Sequence, residues 1–377
     1  MLSLFSGAGR RTPIGLDIGA TAIRAVQLRR SGDRFTLAAA GQSDQSSTVP
    51  TESKERLSEG LRSALRQASF SGRVVVSALN PPDIEYHMLD LPAAAMHAQE
   101  REARQMVHWE IGRLTSESPD KVETRHWALP PSPGSTPNAI GVSAGREAVT
   151  RLVEACGAAG TVCAGVDTCA TALGRFGQLL TPWPDDCVWG VLDVGARQSR
   201  LVLCLGETPI LVRHTGSGGQ EWTQRIADGL QLSAGAAETQ KRTHGIVHTG
   251  RAAGSGVRGS ADEAGVRGGN ADDPLRSEVG SLLLGALRSD LNELAAEVKR
   301  SYEYVLSCYP GRRAGDLVLV GGGAGLRNLP EYLAGALGID VRRASSFLSE
   351  PQCRLSYGTD GRHPLECFAA AVGLAAS

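Results

Sequence analysis

The chain of 377 residues carries 39 Lys and Arg against 40 Asp and Glu, a formal net charge of −1, which removes the electrostatic case for a general nucleic-acid binder. At this length it can hold two domains or one bilobed unit with an ample core. The eight cysteines (Cys156, Cys163, Cys169, Cys187, Cys204, Cys308, Cys353 and Cys367) include no C-x-x-C pair, so they suit neither a zinc site nor a disulfide framework and read as buried free thiols. No stretch approaches the length that spans a bilayer, and Met1 to Phe5 is too short for a signal-peptide core. The expectation is a soluble, cytoplasmic protein.

In chain order, Ile14 to Gly19 is an apolar run closing in Asp17-Ile18-Gly19. A strand-like stretch follows from Ala22 to Leu28, then a turn at Ser31-Gly32-Asp33 and a return from Arg34 to Ala40. Leu57, Leu61, Ala64, Leu65 and Ala68 recur at helical spacing. Val74 to Leu79 reads as a buried strand stopped by Asn80-Pro81-Pro82. Glu85 to Leu91 reads as extended, Ala103 to Leu114 as a surface helix, Lys121 to Leu129 as a strand and Pro130 to Pro137 as a loop. Arg146 to Gly157 and Thr168 to Leu180 are helical, and Pro182-Trp183-Pro184 separates the two halves.

The second half reopens with the phrase of the first. Gly190 to Gly195 closes in Asp193-Val194-Gly195, with strand-like stretches from Ser199 to Leu205 and Thr208 to His214 around Gly206-Glu207. Gly218 and Gly219 precede a helix carrying Trp222, Ile226 and Leu230, and another helix starts near Ser233. From about 243 to 277 large apolar residues nearly vanish, which predicts a disordered insertion. A long helix then carries Leu284, Leu287, Leu291, Leu294, Val298, Tyr302 and Val305. This stripe reads as one helix face packed on a sheet. Asp316 to Val320 is a buried strand running into Gly321-Gly322-Gly323, followed by a helix over 328–337 and a short strand over 339–342.

Three glycine turns therefore follow buried strands, at 17–21, 193–196 and 321–324. Glycine lets backbone approach a phosphate, and exposed N–H groups in such a turn cradle anions. A carboxylate beside the turn suits magnesium, which prefers oxygen ligands and keeps its waters. The order and spacing of the three resemble the actin/Hsp70/sugar-kinase superfamily, whose two ribonuclease H-like lobes close on ATP. Within it the chain is most similar to the PilM family of type IV pilus assembly. The similarity rests on Gly15 to Leu28, Leu192 to Ala196 with Arg213 and Gly218-Gly219 downstream, Ala237-Glu238-x-x-Lys241, Val320 to Leu326 and Ala370 to Ala375.

The resemblance implies an α/β, actin-like bilobed fold with a small α+β subdomain inserted in the first lobe, where the division protein FtsA also carries one. The implied organisation is a first lobe at 1–74 and 146–185, the insert at 75–145 and a second lobe at 186–377. It implies ATP and Mg2+ between the lobes, with Asp17 and Asp193 facing the metal. Gly19, Ala20, Thr21, Gly195 and Ala196 would offer N–H groups to phosphates, with Arg24 beside the first turn. Glu238 and Lys241 would hold ribose and base, and Gly321, Gly322, Gly323 and Ala324 would pack against the adenosine. The implied partner is the cytoplasmic tail of a PilN-like inner-membrane protein, bound beside the insert, which would place the chain at the inner face of that membrane. Self-association is a further expectation.

The chain also departs from the family. Ala20 and Ala22 replace hydroxyl residues, and Arg24 replaces a Lys, giving a planar fork in place of a compact ammonium. No residue stands out for orienting an attacking water; Asp167 matches a family position, but Asp at such a turn is commonly structural. Hydrolysis is therefore expected to be weak or absent. The alternatives are an FtsA-like or secretion-system adaptor and a sugar-kinase-like phosphotransferase. His108-Trp109 and His126-Trp127 are expected to be partly buried packing residues.

Overall fold

The computed structural model describes residues 9–45, 53–92, 100–115, 118–133, 137–215, 217–247, 274–358 and 363–377. The first sheet is built from β1 (Arg10–Ile18), β2 (Ala22–Ser31), β3 (Arg34–Asp44), β4 (Val74–Leu79) and β8 (Val162–Thr168), with helices α1 (Lys54–Arg66) and α3 (Arg146–Ala158). Its order is β3-β2-β1-β4-β8: an antiparallel hairpin pair, then two parallel strands. The second sheet contains β9 (Cys187–Val194), β10 (Ser199–Leu205), β11 (Thr208–Thr215), β12 (Arg313–Val320) and β13 (Val341–Arg343). Its order, β11-β10-β9-β12-β13, repeats the same pattern of antiparallel and parallel pairs. The repeat seen in the sequence is thus a repeat of topology.

Strand β9 is buried over nearly its whole length. Helices cover both faces of such a strand, so its sequence reads as a continuous apolar run without alternation. One face meets α7 (Pro274–Cys308), whose Leu287, Leu291, Leu294, Val298, Tyr302 and Val305 are all buried in the second-lobe core. Each of these leucines contributes roughly 1.5–3 kcal/mol through removal from water. The stripe packs within the chain's own core, as read from the sequence.

Two helices lie between the sheets. Helix α4 (Cys169–Leu180) is capped by Thr168, whose hydroxyl accepts the Thr171 N–H, and it carries buried residues on almost every face. After α8 (Leu329–Leu337), helix α9 (Leu365–Ala375) is nearly all buried and packs on β1, β2 and α4. The close approach needs glycine: a Cβ on Gly15 would lie 2.1 Å from the Ala371 carbonyl oxygen. Trp189 of β9 stacks on Trp183 at 4.7 Å and 8°, welding the connection between the halves to the second sheet.

A third sheet, β5-β7-β6, is formed by β5 (Ile84–Leu89), β6 (Val122–Ala128) and β7 (Ala139–Gly145) and is covered by α2 (Glu100–Leu114), so the insert starts after β4, which belongs to the first sheet, and not at residue 75 as expected. Its own small core joins Leu89, Leu91, Val107, Ile111 and Ala139. Trp109 on α2 is 76% exposed, contrary to the packing role expected of it. Trp127 does pack: its indole N–H donates to the Pro209 carbonyl in the second lobe at 2.8 Å.

The ends of the second half differ from the sequence reading in two places. Strand β14 (Leu355–Ser356) pairs with β3 in the first sheet, and α9 docks on that sheet, so the segment assigned wholly to the second lobe (186–377) returns to the first. The disordered insertion expected at 243–277 is contradicted at both edges. Helix α6 (Ala234–His244) runs through His244, Ile246 is 1% exposed, and α7 begins at Pro274. The remainder, 248–273, lies outside the described residues.

Candidate functional site

The first two glycine turns are one structure made twice. In the β1–β2 hairpin Asp17 faces Arg24, and in the β9–β10 hairpin Asp193 faces Arg200. The Gly19 N–H donates to the Ala22 carbonyl at 3.0 Å, and the Gly195 N–H donates to Gln198 at 3.1 Å. Asp17 and Asp193, Gly19 and Gly195, and Arg24 and Arg200 are each 176 positions apart. The sequence reading offered the Gly19 and Gly195 N–H groups to a ligand, but the structure engages both in closing their own turns. The Ala20, Thr21 and Ala196 N–H groups take no part in those two bonds.

Each carboxylate has a guanidinium beside it. Arg24 Nη1 lies 3.8 Å from Asp17 Oδ2, and Arg200 Nη1 lies 3.3 Å from Asp193 Oδ2. Arg24 also donates to Gln42 at 3.1 Å and sits 5.8 Å from the Phe368 ring of α9. Burial pushes the Asp17 carboxyl above its ordinary 3.8; Arg24 pulls it back, and the charge of Asp193 raises it again. The charge of Asp193 thus reaches the Asp17 carboxyl. Asn80 ties the turns together: its Nδ2 donates to the Ile18 carbonyl at 3.0 Å, and its Oδ1 accepts from Arg200 Nη2 at 2.7 Å. Arg200 and Asn80 were not among the residues singled out from the sequence. The signal for Arg200 was present, since it stands seven residues after Asp193 as Arg24 stands after Asp17.

The second turn is held from behind. Helix α5 (Gly219–Leu230) begins against it, with Gly219 N–H donating to the Gly195 carbonyl at 2.9 Å and Gln220 N–H to Ala196 at 2.8 Å. Lys241 of α6 donates to the Gly219 carbonyl at 2.7 Å and to the Thr223 hydroxyl at 2.6 Å, and it pairs with Glu238 at 2.7 Å. This is no surface ion pair, because the Lys241 side chain is 11% exposed. Burial would raise the Glu238 carboxyl, but hydrogen bonds from Lys241, Thr223 and Arg242 outweigh it and hold it at about 2.

The third turn packs directly on the second. Gly321 has φ +84°, and a Cβ there would lie 2.4 Å from Asp193 Oδ1. Its N–H donates to the Glu366 carbonyl at 2.7 Å. A Cβ on Gly323 would meet Val194 Cγ1 at 2.2 Å, whereas Gly322 faces open space. Ala324 is fully buried, and its N–H donates back to Gly321 at 3.2 Å. The three turns, Lys241 and Glu238 thus form one connected site between the sheets.

Asp167 is committed elsewhere. Arg175 pairs with it, and its Oδ1 accepts from the Thr171 hydroxyl at 2.6 Å and the Thr168 N–H at 2.7 Å. Two cavities lie away from the turns. One of about 480 Å³ sits at the hairpin tips beside Arg34, Trp183 and Glu207, and one of about 190 Å³ lies between β5 and α7 beside Met88 and Tyr304. Among the described residues no helix is long and apolar enough to cross a membrane.

A family model described as type IV pilus assembly protein PilM matches residues 15–249, well over half of the chain. The chain belongs to the PilM family. The PilM-family match covers the first two turns, the insert and the Glu238–Lys241 pair. The structure is similar to one described as a PilM-PilN type IV pilus biogenesis complex, with TM-score 0.72 and 25% identity over 97% of this chain and 98% of that one. It also resembles the ethanolamine utilization protein EutJ from Carboxydothermus hydrogenoformans, with TM-score 0.53 and 13% identity over 97% of this chain and 89% of that one. These likenesses give the PilM-family chain the actin-like α/β fold. No curated protein sequence matches the chain.

Proposed function

We propose that this PilM-family chain is an ATP-binding scaffold of type IV pilus assembly that captures the cytoplasmic tail of a PilN-like membrane protein. The observation that carries the nucleotide reading is the pair of register-matched turns, joined through Asn80 and backed by the third turn. Two turns of this kind grip a polyphosphate from opposite sides, with Ala20, Thr21 and Ala196 supplying N–H groups. Gly322, open on its outer side, gives the adenosine a surface to approach. Lys241 and Glu238 sit at the rim of the second turn, where a ribose would lie.

The residues fit magnesium held through water. Asp17 and Asp193 are two partly buried carboxylates, each beside a guanidinium, and burial holds the Asp17 carboxyl above its ordinary value despite Arg24. An added cation favours the charged form of both carboxylates, and magnesium held through water needs only one or two of them beside the phosphates. When bound, Mg2+ would neutralise phosphate charge. Asp17 and Asp193 would hold its shell, while Arg24 and Arg200 keep the carboxylates aimed. Asp167 accepts from Arg175, Thr168 and Thr171, which supports a structural role for it. Nucleotide then serves chiefly to favour the closed arrangement of the lobes, with slow turnover.

The partner reading is supported by family membership and by the similarity to the PilM-PilN complex. It places the chain beneath the inner membrane through its partner. The test is capture of immobilised cytoplasmic tails from pilus and secretion inner-membrane proteins. Retention on the PilN-type tail alone supports the reading; retention only on a secretion-type tail overturns it in favour of the adaptor alternative.

A further inference from the structure

We propose that Arg200 is a relay that couples the state of the second turn to the pose of the inserted sheet. The proposal rests on the nucleotide reading above for its natural trigger. Arg200 has an 8% exposed side chain and spends its guanidinium on three separate parts of the molecule. Nη1 faces Asp193 in the turn at 3.3 Å. Nη2 donates at 2.7 Å to Asn80, which stands between β4 and β5 where the chain enters the insert. Nε donates at 3.2 Å to His214 Nε2 on β11.

The third contact fixes a chemical state. Arginine has no acceptor, so His214 must present a lone pair at Nε2 and keep its proton on Nδ1. The other side of that imidazole meets the insert: its ring lies 5.9 Å from Tyr86 of β5 at 30°. Asn80 completes the circuit, since it also holds the Ile18 carbonyl of the first turn. Arg24, the counterpart in the first copy, makes its contacts with Asp17, Gln42 and Phe368 and touches no part of the insert through them.

A guanidinium is a rigid planar fork, so it cannot change its aim at one partner and keep the other two unmoved. A cation that draws the Asp193 carboxylate away from Nη1, or a phosphate that draws Nη1 toward itself, therefore shifts Nη2 and Nε together. Asn80 carries that shift to the segment leading into β5, and His214 carries it to Tyr86 within the strand. The insert has a second contact with that lobe, from Trp127 to the Pro209 carbonyl at 2.8 Å, which does not pass through Arg200. It provides an internal control.

The test is hydrogen exchange by mass spectrometry on the full chain, reading the insert strands 84–89 and 122–128, the turns 15–21 and 191–198, and the second-lobe strand 313–320 as a folding check. In wild type, Mg-ATP is expected to protect both turns and to change exchange in the insert by about fivefold or more, the low end of typical coupling. In His214→Ala the turns remain protected while the insert response falls below about twofold. Trp127→Phe raises the basal exchange of the insert but keeps its response. Equal insert responses in wild type and His214→Ala overturn the relay. If Mg-ATP protects neither turn in wild type, the nucleotide reading fails, and the relay is decided by Asp193→Asn without ligand. That substitution must alter insert exchange in the wild-type background and not in His214→Ala, and any other pattern overturns the relay.

Discussion

Replacing Asp17 by Asn should make the ligand-free protein more stable and the ligand-treated protein less so. At 3.8 Å the Arg24–Asp17 attraction is worth roughly 4 kcal/mol at an effective dielectric of 20. Against it stand the several kcal/mol, approximately, of removing each ion from water and the repulsion from Asp193. The raised Asp17 pKa shows that burial and Asp193 win. A folded pKa above the unfolded value means the charged form weakens the fold at neutral pH, by about 1.4 kcal/mol for every tenfold gain in proton affinity on folding. Asn removes the charge while keeping the shape. For 377 residues, at about 2.1 cal/mol/K each, 1 kcal/mol moves the melting temperature by only about 1–2 °C. Mg-ATP at a hundred times its Kd adds about 2.7 kcal/mol to wild type, or roughly 3 °C, by mass action. The two melting curves should therefore exchange order when Mg-ATP is added. A ligand-free Asp17→Asn that melts several degrees below wild type would show Asp17 to be a structural partner of Arg24. An undiminished Mg-ATP shift in that variant would remove Asp17 from the site.

Other expectations follow from the same contacts. Burial, then the charge of Arg200, hold the His214 pKa at about 4, below its ordinary 6.5. The unfolded chain then takes the proton first, so stability is complete above about 6.5 and falls as pH drops toward 4; urea unfolding across this range should show the decline, and His214→Ala should flatten it. Glu238, depressed from 4.5 to about 2, adds a separate loss over the lower window between those values, and Glu238→Gln should remove it. Gly321→Ala places a Cβ 2.4 Å from Asp193 Oδ1 at φ +84°, which should cost roughly 1–3 kcal/mol in unfolding and weaken nucleotide binding. Lys241→Met removes one buried donor from the Gly219 carbonyl, Thr223 and Glu238, an expected loss of about 1–3 kcal/mol in the same assay.

Much of this architecture was legible because the chain writes its hairpin unit twice. Apolar runs ending in Asp-x-Gly located β1 and β9, and the turn residues located the hairpins that follow. Strand β7 escaped because Ala139-Ile140-Gly141-Val142-Ser143-Ala144-Gly145 mixes small residues with little alternation; its neighbours press on it too closely for larger ones, with Leu89 Cδ1 2.6 Å from where a Gly141 Cβ would lie. The return of β14 and α9 to the first sheet has no local signature, because it is decided by contacts such as Gly15 against Ala371. Asn80 read as a strand terminator beside two prolines, and its role as a bridge depends on Arg200, 120 positions away. Within the site, the carboxylates and glycines were readable by type, whereas the use of the Gly19 and Gly195 N–H groups within their own turns was not. That depends on turn geometry.

The central claim is that one nucleotide lies between the two register-matched turns. Calorimetric titration of Mg-ATP into nucleotide-stripped protein tests it most directly, with Asp193→Ala and Gly321→Ala beside wild type. The account predicts one site per chain in wild type and at least a tenfold weakening, about 1.4 kcal/mol, in each variant. Absence of binding to folded, stripped wild type, or equal affinity in all three proteins, would contradict it.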